Sequence, residues 1–352
     1  KICFTYNINI KMNSKWRKKM TKRNVAVIGC GLWGKNIVRN FYNLDALNTV
    51  CDLDTENLKK LAMEYENVHF TTDFNEVLNN PEIEAVAVVT PSHTHFKVVS
   101  AVLNAGKHVY VEKPISTVAD EAKKLMELAD EKGLTLMVGH LLLYHPAVNR
   151  LKQIINEGML GEITYIQSDR LNINYFKNDR SVMWDLAPHD VSMTAYVLGK
   201  EPVRVISAVG VSSDKNDIMD ITHVTIEYEG GVVGQISDSW IHPVKRVNML
   251  VRGTKATAIF DDTLPTNKLV IIDHTTPGAA KPEPLDFIEI EPLKLECQHF
   301  LNCFKTGTKP RSDGLNGYQV VSILEEAEKI MLGERRARLD KVNFKSSRSK
   351  KK

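Results

Sequence analysis

From Val25 to Gly139, short unbroken apolar runs alternate with segments whose apolar positions recur every three or four residues. Runs that are apolar at every position suit strands buried on both faces, and the intervening periodicity suits amphipathic helices, so the pattern predicts a parallel sheet covered on both sides. Strands are predicted at Val25–Ile28, Thr49–Cys51, Val68–Phe70, Ala85–Val89, His108–Val111 and Leu134–Val138. Helices are predicted near Gly34–Tyr42, Thr55–Tyr65, Phe74–Leu78, His95–Ala105 and Val118–Glu131, with Gly106 and Gly133 as stops.

After Pro146 the texture changes. A helix to about Glu157, a long strand from Ile163 to Leu171 and a helix from about Trp184 to Leu198 precede a series of β-branched runs. These are Val203–Val211, Ile221–Tyr228, Val232–Ser239, Val247–Val251, Ala256–Phe260 and Leu269–Ile272, with Gly230-Gly231 as a hairpin turn. Clustered strands predict a mostly antiparallel open sheet in an α+β second domain, closed by helices from about Leu293 and Tyr318. Pro277–Pro284 reads as a surface loop. The fold class is therefore α/β: a Rossmann dinucleotide-binding domain over 22–142 and an α+β substrate and oligomerisation domain over 143–336. A basic extension (1–21), expected to be disordered, and a basic tail (337–352) are expected to flank them.

A chain of 352 residues with 25% charged side chains fits two soluble domains. Its net charge of +3 comes from the ends, where Lys11, Lys15, Arg17, Lys18, Lys19, Lys22 and Arg23 are answered by Lys345, Arg348, Lys350, Lys351 and Lys352. Without them the body is acidic, so the ends read as solvated and no nucleic-acid or membrane partner is expected. Met20 stands just before the first strand, and the residues ahead of it are expected to be an upstream extension. No apolar run is long enough for a membrane span, and Lys11 interrupts any secretory leader. Five cysteines without a C-x-x-C pair favour a reducing compartment, hence the cytoplasm. Cys297, His299 and Cys303 sit on a helical apolar stripe and read as core, so no metal is expected.

Gly29-Cys30-Gly31-Leu32-Trp33-Gly34 follows a strand and opens a helix, the context in which G-x-G-x-x-G cradles a dinucleotide pyrophosphate on a helix N-terminus. Asp52 ends the second strand 23 residues after Gly29, near the spacing for a carboxylate that holds the adenine ribose. Its charge disfavours a 2′-phosphate, and no arginine follows it, so NAD is the expected cofactor. Thr90-Pro91 belongs to the same sheet edge, with His95 at the start of the next helix; Asp54 reads as a helix cap.

Lys113 stands where the fifth strand ends, at the sheet edge where ligands bind in such folds, and Pro114 stiffens its backbone. Glu112 and Lys113 point to opposite sides of an extended strand, one toward the nicotinamide ribose and the other toward substrate. Asp185 and His189 stand four apart on a predicted helix, on one face. A carboxylate beside an imidazole raises its proton affinity, giving an acid/base pair for removing a hydroxyl proton as hydride leaves. A surface Glu-Lys pair and a helix-surface Asp-His pair are the alternative readings.

The ordered set Gly29-x-Gly31-x-x-Gly34, Thr90-Pro91, Glu112-Lys113-Pro114, Gly139-His140 and Asp185-x-x-x-His189 resembles the Gfo/Idh/MocA oxidoreductase family over roughly residues 22–335. The resemblance implies catalytic roles for Lys113, Asp185 and His189, with Asp185 orienting the imidazole. It also implies dimers or tetramers built through the open face of the second sheet. Gly29–Phe41, His140–Pro146, Ser168–Asn172 and Trp184–Asp190 look like the sugar-nucleotide branch, which contains UDP-N-acetylglucosamine 3-dehydrogenases. That likeness implies a UDP-sugar oxidised at C3, with Arg170 and Asn172 as contacts for diphosphate or sugar; a structural salt bridge is the other reading of Arg170. Ala187, Pro188 and Tyr144 depart from the residues frequent in inositol and simple sugar dehydrogenases. A dehydrogenase of a free polyol and a non-catalytic NAD-binding regulator are the alternatives.

Overall fold

A computed structural model describes residues 23–173, 180–212, 218–275 and 281–349, without side-chain detail from 335 onward. The expected extension 1–21, Cys3 and half of the expected loop Pro277–Pro284 (277–280) lie outside these residues.

The first half is built from β1 (Val25–Ile28), α1 (Gly34–Asn43), β2 (Leu47–Cys51), α2 (Thr55–Ala62), β3 (His69–Thr71), α3 (Phe74–Asn79), β4 (Ala85–Val88), α4 (His95–Asn104), β5 (His108–Glu112), α5 (Ala119–Glu131) and β6 (Leu136–Gly139). The six strands form one sheet in the order β3-β2-β1-β4-β5-β6, every pair parallel. β1, β4 and β6 are buried at every position, which explains their unbroken apolar sequence. The strand order reverses between β1 and β4, and a crevice opens there at the carboxyl ends. Asp54 caps α2 by accepting from the amides of Glu56 and Asn57.

α6 (Pro146–Asn156), β7 (Ile163–Ile173) and α7 (Val182–Leu198) lead into β8 (Pro202–Val211), β9 (Ile221–Tyr228), β10 (Val232–Ser239), β11 (Ile241–Gly253), β12 (Ala256–Asp261), β13 (Leu269–Asp273) and β14 (Glu283–Pro284). The second sheet runs β14-β13-β12-β11-β7-β10-β9-β8, antiparallel except where β10 lies parallel to β7. Three details differ from the sequence reading. β11 starts six residues early, at Ile241, because its polar first half pairs with β7 only at Ile241 and again from Arg246. Glu283 and Pro284, expected in a loop, pair with Ile271 and Val270. The last helix, α9 (Gly314–Ser349), continues through the segment expected as a tail.

One of the two closing helices goes elsewhere than expected. α8 (Pro292–Thr306) covers the first sheet: Phe300 meets Tyr110 and Phe41 edge-on at 5.9 and 6.3 Å, and Phe304 stacks on His108 at 5.3 Å. α9 packs on α5 and β8. The physical reason is coverage. A parallel sheet must bury both faces, and Tyr110 and Met137 present apolar surface in the same buried cluster as Phe300 and Phe304. Burying a phenylalanine there contributes about 1.5–3 kcal/mol. Among the described residues no helix is long and apolar enough to cross a membrane. Cys30, Cys51, Cys297 and Cys303 are buried, unbridged thiols.

Candidate active site

The three glycines of the β1–α1 turn have separate jobs. Gly29 has φ +93°, and a Cβ there would lie 2.5 Å from the Val89 carbonyl oxygen. At Gly34 a Cβ would lie 2.2 Å from the carbonyl oxygen of Gly29, so only glycine lets α1 start against the turn. Gly31 faces open space, with nothing within 4 Å of its would-be Cβ. No side chain caps α1, and its first turn holds no acid. Bare amide dipoles beside an open backbone fit a pyrophosphate. Asp52 accepts from the Cys30 amide at 2.5 Å and the Asp54 amide at 2.8 Å, which pins its carboxylate between the glycine turn and the end of β2. Leu32 and Leu53, on either side, are almost fully exposed.

A cavity of about 510 Å³ continues from this edge, lined from both halves of the chain. The first half supplies Trp33, Thr90, His95, Glu112, Lys113 and Gly139; the second supplies Arg180, Trp184, Asp185 and His189. Lys113 and His189, 76 residues apart in sequence, therefore face one space. Lys113 Nζ donates to the main-chain carbonyl of Asp185 at 2.6 Å and lies 3.7 Å from its carboxylate. Trp33 Nε1 donates to Glu112 Oε1 at 2.7 Å, closing the glycine turn onto β5. The His95 ring, almost wholly buried, lies between the carbonyls of Pro114 and Thr90, each 2.8 Å from a ring nitrogen, and its single N–H donates to one of them. Pro91 opens the short helical turn at Ser92–Thr94 and is not part of the cavity wall.

The expected Asp185–His189 pair is not what forms. The Asp185 carboxylate is turned to Lys113, while His189 Nδ1 is buried without a hydrogen-bond partner. The competing partner is the Lys113 ammonium, which takes both the main-chain carbonyl of Asp185 and a place 3.7 Å from its carboxylate. The proton affinity of His189 is consequently lowered rather than raised. Burial drives the imidazole well below its ordinary 6.5, and the charges of Lys113 and Arg170 and the nearby His140 push the same way. His140, hydrogen-bonded through Nδ1 to Asn316 at 2.6 Å, is pushed by burial to about 4.

Arg170 and Asn172 do not line the cavity. Arg170 grips Asp190 through Nε at 2.8 Å and Nη2 at 3.2 Å, with Ser168 donating to the same carboxylate at 2.6 Å, so the salt-bridge reading is the one realised. Arg180 was missed in the sequence. Its Nη1 donates to Ser92 Oγ at 2.6 Å across the two halves, a pairing no local spacing reveals. Among the described residues no group of three or more His, Cys, Asp or Glu side chains is arranged to hold a metal ion; His299 Nε2 and Cys303 Sγ, 3.3 Å apart, meet within one helix.

Both halves of the chain are similar to known proteins. The family model described as oxidoreductase family, NAD-binding Rossmann fold, fits residues 23–140, and the GFO/IDH/MocA C-terminal domain fits 148–259. The chain belongs to the Gfo/Idh/MocA oxidoreductase family. It is 29% identical to the UDP-N-acetylglucosamine 3-dehydrogenase of Acidithiobacillus ferrooxidans over 86% of this chain and 95% of that one. It is 27% identical to the NAD(+) scyllo-inositol 2-dehydrogenase of Bacillus subtilis, over 81% and 87%. The solved structure of the A. ferrooxidans enzyme GnnA aligns with TM-score 0.77 and 27% identity, covering 88% of this chain and 97% of that one. The N-terminal half is thus an NAD-binding Rossmann domain of an oxidoreductase.

Proposed function

We propose that this oxidoreductase uses NAD to oxidise a secondary hydroxyl, at C3, of a nucleotide-linked hexose such as UDP-N-acetylglucosamine. The observation that carries the reading is the shared cavity of Lys113 and His189 beside the glycine turn. NAD, which the glycine turn and Asp52 would hold, would supply the hydride acceptor for the carbinol carbon. Lys113 donates a hydrogen bond to the reacting oxygen and lowers its proton affinity. His189 takes the hydroxyl proton at a ring nitrogen as general base. Asp185 holds the ammonium through both its carbonyl and its carboxylate. The near full-length match to a UDP-N-acetylglucosamine 3-dehydrogenase supports a sugar nucleotide, and so does Arg180, a guanidinium on the cavity wall suited to a diphosphate. The inositol dehydrogenase match supports a free polyol as the second reading. Exposed Val203, Ile206, Val209 and Val211 on β8 support assembly into a dimer or tetramer.

The test is a substrate panel with purified protein and NAD, following NADH absorbance and keto-sugar formation by mass spectrometry. Turnover of UDP-N-acetylglucosamine and none of N-acetylglucosamine or inositols is the expected result. Reaction with scyllo- or myo-inositol and none with nucleotide sugars transfers the assignment to the polyol reading. Cofactor choice is tested separately. Asp52→Ser removes the charge that repels a 2′-phosphate, so the preference for NAD over NADP, read as a ratio of kcat/KM, should fall about tenfold or more.

A further inference from the structure

The hydroxyl of Tyr110, on β5, stands between two carboxyl groups, 2.9 Å from Glu112 Oε1 and 3.2 Å from Glu296 Oε2. A phenol has one proton and donates once. If it donates to one carboxylate, the other contact is attractive only when that second carboxyl is protonated and donates back to the phenol oxygen. Glu112 also receives Trp33 Nε1–H at 2.7 Å and the Lys113 amide at 3.2 Å. Glu296, on α8, is fully buried, and its Oε1 has no partner. The titratable side chains that act on it or feel it are Glu112, Tyr110, Tyr144 and Cys297, all acids. Burial raises both carboxyl groups. Trp33, Tyr110 and Lys113 oppose the rise at Glu112, whereas Tyr110 alone opposes it at Glu296, where the Glu112 charge adds to it. One proton shared by this pair therefore resides on Glu296.

We propose that Glu296 is a neutral carboxylic acid whose O–H, relayed through Tyr110, fixes the Glu112 carboxylate on the cavity wall, making Glu296 a positioning residue for the nicotinamide end of the cofactor. Gly139 leaves room for this relay: a Cβ there would lie 2.7 Å from the Tyr110 hydroxyl and 3.0 Å from the Glu112 carboxyl. The arrangement joins a helix near the end of the chain to the cofactor crevice without touching the reacting atoms. It rests on Glu112 as a cofactor-facing residue and is independent of the substrate.

Two measurements on the intact chain test it. Infrared difference spectra of wild type against Glu296→Gln, from pH 6 to 9, should show a buried carboxylic-acid carbonyl band throughout, lost in the variant. NADH titration should give a Kd within about twofold of wild type for Glu296→Gln, whose amide N–H replaces the acid O–H. For Glu296→Leu and Tyr110→Phe the Kd should rise about tenfold, the effect of one net hydrogen bond to a charged group. Tyr110→Phe conserves volume and guards against misfolding, checked by circular dichroism. A carboxylate signal in place of the acid band, or Glu296→Gln binding as weakly as Glu296→Leu, overturns the protonation assignment. An acid band together with unchanged NADH affinity in folded Glu296→Leu and Tyr110→Phe overturns the positioning role. Neither readout uses turnover, so failure of the sugar-nucleotide reading leaves this test standing.

Discussion

Lys113→Met should lower turnover about a thousandfold while leaving NADH binding within a few-fold of wild type. The expectation follows from where the ammonium sits. It projects from the end of β5 into the cavity, held at 2.6 Å by a carbonyl and balanced at 3.7 Å by the Asp185 carboxylate. Methionine keeps the length and apolar stem and loses only the charge and the donors. Those are the two properties that stabilise an oxygen as it gives up its proton, and both count for more in a partly dry cleft than in water. On the proposed reading, binding of the dinucleotide draws mainly on the glycine turn, Asp52 and the α1 N-terminus, which Lys113→Met leaves unchanged in sequence. A lysine that merely tethered the two halves would predict the opposite split, with weaker stability and little change in kcat. Steady-state rates with saturating nucleotide sugar, beside an NADH fluorescence titration, separate the two. Turnover within tenfold of wild type would remove Lys113 from the chemistry and favour the non-catalytic NAD-binding reading.

How much of this was legible beforehand follows from the range of the interactions. The β1–α1 turn is local: strand, glycines and helix start are contiguous, and each glycine requirement is visible in a dozen residues. Asp52 depends on one strand and one helix of ordinary length and was equally readable. Parallel strands buried on both faces also declare themselves residue by residue. Partners distant in sequence do not. Arg170 reads the same whether it awaits a diphosphate or grips Asp190, because the choice is made by β7 and α7 meeting. Phe300 and Phe304 carry an apolar stripe whose destination no periodicity specifies, so proximity in sequence points α8 to the second sheet and the fold places it on the first. The Asp185–His189 spacing was correct in register and misleading in partner. Residues one turn apart can meet, but a lysine 72 residues away competes for the carboxylate. Arg180 and Glu296 gave no motif at all, each being a single polar residue whose meaning comes from a tertiary neighbour.

The pH dependence carries the other large effect, and its sign differs from that of a histidine paired with a carboxylate. A general base works in its neutral form, so activity is lost as pH falls through the pKa of that base. With Asp185 paired to it, His189 would titrate above its ordinary 6.5, and kcat/KM for oxidation would already be falling below neutral pH. In the structure burial, followed by Lys113 and Arg170, holds the imidazole well below 6.5. The acid limb assigned to His189 should therefore lie below 6.5, leaving kcat/KM flat with respect to this group across neutral pH. A base of low proton affinity is also a weak one, which makes the chemistry depend on Lys113 to lower the affinity of the alcohol oxygen at the same time. His189→Ala should cost about 10²–10⁴ in kcat. The two groups are coupled through charge, so a further consequence distinguishes this arrangement. Removing the ammonium in Lys113→Met withdraws one of the forces depressing the imidazole, and the acid limb of the residual activity should move upward in pH. A profile of kcat/KM from pH 5 to 9 for wild type and Lys113→Met measures both positions. A wild-type limb above 6.5, or a limb that moves downward in the variant, would mean that a carboxylate charge-balances His189 in solution and that Asp185 is not held by Lys113.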